Sequence, residues 1–380
     1  MATYQIQDRW QEFGSSFIKW IYLILVTTFI LGCENQNSGK TISTQQSTFY
    51  DLTNKLQSGY YPNFHSVIIY SKGDLVYEKY LSGKDEVLGK NVGVVQHSQN
   101  SLHDIRSITK SIVSTCVGIA IDQGLLKSVD QKISSFFPEF HSILINEKED
   151  WTVRHFLTMT TGFDWNEDVP YTDPSNDETI MMFNDTPIEY VLSRPLIHSP
   201  GTMFNYSGGA TQILVEIIER ASGMTIDDFA TNYLFKKIQI DKHEWLKFEK
   251  SNIYAGPSGL RLTSRGLLNY AILYLNKGKW EGNQIISANW IDSSFSKQIE
   301  FPSDALDWNE YYGYQFWIWH DLINKTRTNI VSANGNGDQN IFWDLNSNLV
   351  VITTAGNYNN WEIEKDAYHM LKNEIYLVLK

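Results

Sequence analysis

Ser107 and Lys110 stand three residues apart at the head of an apolar stretch running from Ser111-Ile112-Val113 to Ile119-Ala120-Ile121. If that stretch is helical, the two side chains share one face. A serine hydroxyl is a weak nucleophile until a neighbour takes its proton, and a lysine kept neutral by burial can do so. The plain alternative is a helix start in which Ser107 caps the first turn and Lys110 points to solvent, a position the helix dipole disfavours for a cation. Tyr206 adds a phenol in Pro200-Gly201-Thr202-Met203-Phe204-Asn205-Tyr206-Ser207-Gly208. A phenol beside an amine relays protons, because each group's charge shifts the other's pKa; otherwise it caps or packs. Asn334-Gly335-Asn336-Gly337-Asp338-Gln339-Asn340-Ile341-Phe342 is a glycine-rich turn entering an apolar strand. Its glycines let a substrate approach the backbone. A strand-edge N–H there, with that of Ser107, can hold a developing oxyanion; an ordinary hairpin turn has the same composition.

These residues need elements to hold them. The spacing predicts a helix over 49–59 and a β-hairpin from 66–70 and 75–80 around a glycine turn. It predicts a polar loop over 82–103 and a long helix over 105–124, closed by Gly124. Further helices are expected over 152–159, 186–193, 211–223, 225–235, 264–276 and 287–296, and strands over 313–319, 340–343 and 349–354. A last helix is expected over 363–379. Strands, a block of helices, then strands and helices imply one sheet built from both chain ends with helices inserted between them.

Order and spacing of the three motifs resemble those of the serine β-lactamase and penicillin-binding-protein superfamily, in its class C-like esterase and amidase branch. Ser107-Ile108-Thr109-Lys110 matches the first motif and Tyr206-Ser207-Gly208 the second, and Asn336-Gly337-Asp338 stands at the third. Phe156-Leu157-Thr158-Met159-Thr160-Thr161-Gly162-Phe163, Pro257-Ser258-Gly259-Leu260-Arg261-Leu262-Thr263-Ser264 and Leu273-Tyr274-Leu275-Asn276-Lys277-Gly278 look similar too, so the resemblance covers about residues 60–360. It implies an α+β fold of the β-lactamase/transpeptidase type: a mostly antiparallel sheet flanked by helices (49–104 and 256–380) with an inserted all-helical domain (105–255). It also implies roles. Ser107 would be the acyl-accepting nucleophile, Lys110 its proton acceptor and Tyr206 the proton shuttle. The backbone N–H groups of Ser107 and Gln339 would form the oxyanion hole. No cofactor and no metal is expected.

The third motif departs from the pattern. Penicillin- and D-Ala-processing members of the family carry a cation there for the substrate carboxylate, whereas Asn336 is neutral and Asp338 replaces a glycine. A buried carboxylate without a charged partner is costly, so a neutral ester or amide, or a short peptide-like substrate, is favoured over β-lactams unless Arg106 or Arg261 supplies the charge. Tyr171-Thr172-Asp173-Pro174-Ser175-Asn176-Asp177 resembles the substrate-facing loop of the nylon-oligomer hydrolases. Asp177 could there meet an amine end; a solvated loop is the alternative. Asn336, Gly337, Asp338, Asp177 and Trp165 are candidate substrate contacts, with Trp317 and Trp319 as further cleft walls or core. The rival readings are a β-lactamase or D,D-peptidase, and a non-catalytic cell-wall binder or sensor that keeps the fold.

Composition excludes other classes. The 380-residue chain has a net charge of −12, which argues against nucleic acid or anionic lipid as a partner. Neither a G-x-S-x-G elbow nor an H-E-x-x-H motif occurs, nor a phosphate-binding glycine loop. Two cysteines make no disulfide framework. Cys116 reads as a small buried hydrophobe. Cys33 follows Phe29-Ile30-Leu31-Gly32, the end of an apolar run of about 15 residues, short for a membrane span. That resembles a bacterial lipoprotein signal over 1–32, with Cys33 lipidated and 33–48 a flexible tether. The expectation is an enzyme anchored by lipid in the cell envelope, on the periplasmic or outer-membrane side; an uncleaved anchor is the alternative.

Overall fold

Alternation decides the centre of the molecule. In β1 (Phe64–Ser71), Ile68 enters one apolar core while Val67 and Ile69 enter another. The same division separates Ile341 and Trp343 from Phe342 in β14 (Gln339–Asp344), and Val350 and Ile352 from Val351 in β15 (Leu349–Ala355). Side chains that alternate across a strand and are apolar on both faces require a sheet covered on both sides. The computed structural model, which describes residues 48–300, 311–323 and 326–379, has that sheet. The predicted signal segment, Cys33 and the tether up to residue 47 lie outside the described residues.

The remaining strands are β2 (Asp74–Tyr80), β3 (Ser82–Val87), β4 (Lys90–Gln96), β5 (His103–Asp104), β6 (His243–Trp245), β7 (Leu260–Leu262), β8 (Lys279–Trp280), β9 (Asn283–Gln284), β10 (Ile299–Glu300), β11 (Tyr311–Tyr312), β12 (Trp317–Ile323) and β13 (Thr326–Gly335). The large sheet is antiparallel in the order β10-β11-β12-β13-β14-β15-β1-β2. It is thus built from both ends of the chain, as expected. The Tyr50–Gln57 helix and the C-terminal turns cover one face through Leu52, Leu56, Leu371 and Ile375. The helices Ile108–Asp122 and Ser264–Leu275 cover the other. Val153–Leu157, Gly208–Ser222 and Ile226–Ala230 pack on the same core.

Ile108–Asp122 is the central helix, buried from Ile108 through Ala120. A helix apolar nearly all round belongs in a core, and its polar groups are satisfied there. Ser111 Oγ donates to the Gln315 carbonyl at 2.7 Å, and Thr115 Oγ1 meets the hydroxyls of Tyr270 and Tyr274 at 2.8 and 2.7 Å. Cys116 is fully buried in this helix, and burial pushes its thiol pKa up. Among the described residues no helix is long and apolar enough to cross a membrane.

Three expectations need correction. The strand expected over 313–319 begins only at Trp317, where β12 starts. Residues 82–103 are not a loop: β3 and β4 pair as a hairpin around Leu88 and Gly89, both in the left-handed region (φ +44° and +81°). β4 is exposed along almost its whole length, so no apolar face announces it. The last helix begins at Ala367 rather than residue 363, because the Asp366 side chain accepts the His369 N–H at 2.7 Å and caps it.

Candidate active site

Ser107 sits at the cap position of the central helix, but its hydroxyl makes no capping bond. It follows Arg106, a non-glycine residue at φ +49°, the kind of strained backbone that persists where the surroundings dictate it. Lys110 does not reach solvent: it is 1% exposed. Its Nζ lies 3.1 Å from Ser107 Oγ, 3.2 Å from the Pro257 carbonyl and 3.4 Å from Glu178 Oε2. Glu167 Oε1 is 4.0 Å away. Tyr206 arrives from the turn before the Gly208–Ser222 helix, which Ser207 caps by accepting the Ala210 N–H at 3.1 Å. Lys110 Nζ lies 4.9 Å from the centre of the Tyr206 ring, and that ring stacks on Trp317 at 5.5 Å. The structure therefore brings together the three side chains singled out in the sequence.

The charge state of Lys110 differs from the expected one. Burial alone lowers its pKa, but Glu178, Tyr206 and Glu167 outweigh burial and the net shift is upward. Lys110 is an ammonium at rest, not a neutral amine. Burial raises the Tyr206 pKa against the pull of Lys110, so the phenol keeps its proton. Glu167 is pushed up to about 8, first by burial and then by the neighbouring Glu178.

The two glutamates went unrecognised in the sequence, although they adjoin residues that were singled out. Glu167 accepts from Trp165 Nε1 at 2.8 Å, Gly208 N–H at 2.7 Å and the Tyr171 hydroxyl at 3.0 Å. Glu178 accepts from Ser258 Oγ at 3.0 Å. Gly208 allows this approach, because a Cβ there would stand 2.1 Å from Glu178 Oε2. Trp165 and Asp177 are accordingly not among the cleft-lining residues. Trp165 is buried and holds Glu167; Asp177 is buried and binds the Asn166 N–H at 2.6 Å, the Tyr190 hydroxyl and Arg194 Nη2 at 3.4 Å.

Ser107 and Tyr206 open onto a cleft of about 380 Å³ with aromatic walls that include Tyr171, Trp317, Trp319 and Trp361. Its strand wall is the β13–β14 hairpin. Gly335 packs so closely on the backbone before Ser107 that a Cβ would lie 2.4 Å from the Ile105 carbonyl. Asn336, Gly337 and Asp338 line the cleft as expected. Asn336 is tied to Asn359 by bonds of 2.7 Å in both directions. Gly337 and Asp338 form the turn at φ +93° and +69°. Gln339 is not among the cleft-lining residues: it pairs with Gly335 across the hairpin, fully buried, its side-chain amide donating to the carbonyls of Gly337 (2.9 Å) and Ala355. The segment that runs beside Ser107 is instead Asn334-Gly335-Asn336.

Among the described residues lining the cleft there is no lysine, arginine or histidine, whereas Asp338 and Asp366 both face it. The two arginines that might have supplied charge are committed elsewhere. Arg106 pairs with Glu86 and lies over the Tyr358 ring, and Arg261 binds Asp104 at 2.7 Å and Glu244 at 2.5 Å.

Residues 65–372 match the family model described as Beta-lactamase. The chain belongs to the Beta-lactamase family. Within that family it is similar to a 6-aminohexanoate-dimer hydrolase of Paenarthrobacter ureafaciens, 25% identical over 201 residues, covering 50% of each chain. The chain thus spans about half the length of that relative. Among solved structures it is similar to EstCE1, a hydrolase with promiscuous acyltransferase activity (TM-score 0.67, 13% identity, 90% of this chain and 99% of that one). It is also similar to a class C beta-lactamase (TM-score 0.63, 16% identity, 89% and 97%). The Beta-lactamase-family fold is thereby shared with proteins of several hydrolytic specificities.

Proposed function

We propose that this chain is a serine hydrolase that cleaves an ester or amide bond through an acyl-enzyme on Ser107, in a substrate that is neutral or carries an amine. The observation that carries the reading is the contact of Ser107 Oγ with Lys110 Nζ at 3.1 Å, with the Tyr206 ring 4.9 Å from that Nζ, at a cleft lined by acids and no described base. The name of the aminohexanoate-dimer hydrolase relative supports the amide and amine elements of this reading.

Proton flow follows from the charge states. To act as a base Lys110 must first give up a proton, for which the buried glutamate pair beside it is the nearest acceptor; as an amine it then takes the proton of Ser107 while Oγ attacks the carbonyl carbon. The oxyanion is met by the N–H of Ser107 and by one from the Asn334–Asn336 segment. Tyr206 protonates the leaving alcohol or amine and is reprotonated by Lys110. Water then enters, gives its proton to the same relay and releases the acid, and Ser107 recovers its proton. A substrate ammonium beside Asp338 and Asp366 would be favoured, whereas a carboxylate would meet two acids.

The test is intact-mass analysis after a fluorophosphonate probe, with turnover of a p-nitrophenyl ester measured beside a chromogenic cephalosporin. One adduct on wild type, none on Ser107→Ala, and a loss of ester turnover of at least about a thousandfold with unchanged Tm are expected. An unlabelled but folded wild type would favour the non-catalytic binder, and efficient cephalosporin cleavage would favour a β-lactamase.

A further inference from the structure

Four side chains that are not among the cleft-lining residues, never grouped by the sequence, converge beneath the β3–β4 hairpin. His65 of β1, Asp85 of β3, His97 just after β4 and His103 of β5 are 0%, 6%, 4% and 1% exposed. One ligand atom from each lies within 4.8 Å of the others. We infer that these four residues form a zinc site of three imidazoles and one carboxylate.

Separations within the group bracket what a tetrahedral ion demands. Nitrogen ligands at about 2.0–2.1 Å from zinc stand roughly 3.3 Å apart. Here His65 Nδ1 and His103 Nε2 are 2.7 Å apart, Asp85 Oδ1 and His103 Nε2 3.6 Å, and Asp85 Oδ2 and His97 Nε2 3.8 Å. Small side-chain shifts equalise them. His97 Nε2 points into the group, is buried, and has no hydrogen-bond partner. A buried ring nitrogen left so is costly, and a metal removes the cost.

Partners around the group are those that orient ligands. His103 Nδ1 faces the Asp104 carbonyl at 3.0 Å; a proton on Nδ1 turns the Nε2 lone pair inward. Asp85 Oδ1 accepts from the Tyr358 hydroxyl at 3.0 Å and the Glu86 N–H at 2.9 Å, which leaves Oδ2 for the ion. Four protein ligands and a buried setting describe a closed, structural site rather than one with an open position for water.

Position gives the site its purpose. It joins β1 of the large sheet to the otherwise exposed β3–β4 hairpin and to β5, which leads directly to Ser107. Through Tyr358, whose ring a Cβ on Gly337 would touch at 2.8 Å, it also reaches the strand wall of the cleft. Zinc here pins both sides of the cleft without touching substrate.

The experiment uses the full chain without a histidine tag, expressed with added zinc and purified without chelator. Elemental analysis is expected to give one zinc per chain. Dipicolinate is expected to strip it and lower Tm by roughly 5 °C or more, with zinc chloride restoring both. Cobalt in place of zinc should show the intense visible bands of a tetrahedral site, and His97→Gln should lose them along with the zinc. Should that variant fail to fold, stripping and cobalt reloading of wild type decides. Wild type without zinc and with a Tm that zinc does not move overturns the site, as does zinc retained undiminished by a folded His97→Gln. Because the readouts are metal content, spectrum and Tm, the result is independent of the hydrolase reading.

Discussion

Lys110 carries a charge in a place where burial opposes one, and it does so because Glu178 and Glu167 are buried beside it. The cation and its acids are one unit, so their substitutions will not be additive. Removing the lysine alone leaves the buried glutamate pair without its counter-charge, and Lys110→Ala is expected to cost about 3–5 kcal/mol of stability, checked by urea unfolding. Glu167 titrates near 8, and above that pH the pair holds two negative charges and becomes the stronger proton acceptor for Lys110. A plot of kcat/KM against pH is therefore expected to rise through an apparent pKa near 8 in wild type, and Glu167→Gln should lose that limb. The same group affects folding with a definite sign. Its folded pKa lies above its unfolded value of 4.5, so its contribution is complete below 4.5 and is lost as pH rises through about 8. Tm of wild type should decline across that window more than Tm of Glu167→Gln. At this scale Ser107, Lys110 and Tyr206 could be singled out from the sequence, because a hydroxyl, an amine and a phenol at that order and spacing are a distinctive set, and the structure places the three side chains together. Glu167 and Glu178 stayed hidden because an acid in a polar loop reads as solvated until burial is known.

The central helix and the Gly208–Ser222 helix each contain a glycine whose reason is a neighbour. A Cβ on Gly118 would stand 2.4 Å from the Trp290 ring, and one on Gly208 would stand 2.1 Å from Glu178 Oε2. Both alanine substitutions overpack and should cost about 1–3 kcal/mol. They should part company in kinetics: Gly118→Ala is expected to lower Tm with little change in kcat, whereas Gly208→Ala displaces Glu178 and lowers kcat as well. Thermal melts with ester turnover separate the two. Element types were readable wherever an apolar run was long or bounded by turn residues, as in the central helix and β14. They failed at β4, which is exposed on both faces, and at its turn, where Leu88 takes a left-handed conformation with no asparagine or aspartate to signal it. The β13 segment was missed for a related reason: Thr326–Asn329 is polar and lacks the alternation that marks a strand.

Taken as a whole, the molecule is acidic, with a net charge of −12, and its cleft continues that sign. An ammonium-bearing substrate is drawn toward such a field and salt screens the attraction. For an aminoacyl p-nitrophenyl ester kcat/KM should fall as salt rises, while for the matched neutral ester it should hold; equal salt responses would count against an amine in the substrate. The architecture was legible because both chain ends carry strands and the middle carries helices. The four residues below the β3–β4 hairpin were not, since only folding brings positions 65, 85, 97 and 103 within reach of one another. The helix that bears Ser107 also encloses Cys116, with no exposure and a thiol held protonated by burial. Alkylating reagents can reach that sulfur only when the sheet and helices part. Peptide-mapped labelling at Cys116 over time is thus an internal clock for core opening, readable in the native protein without adding any foreign dye or mutation.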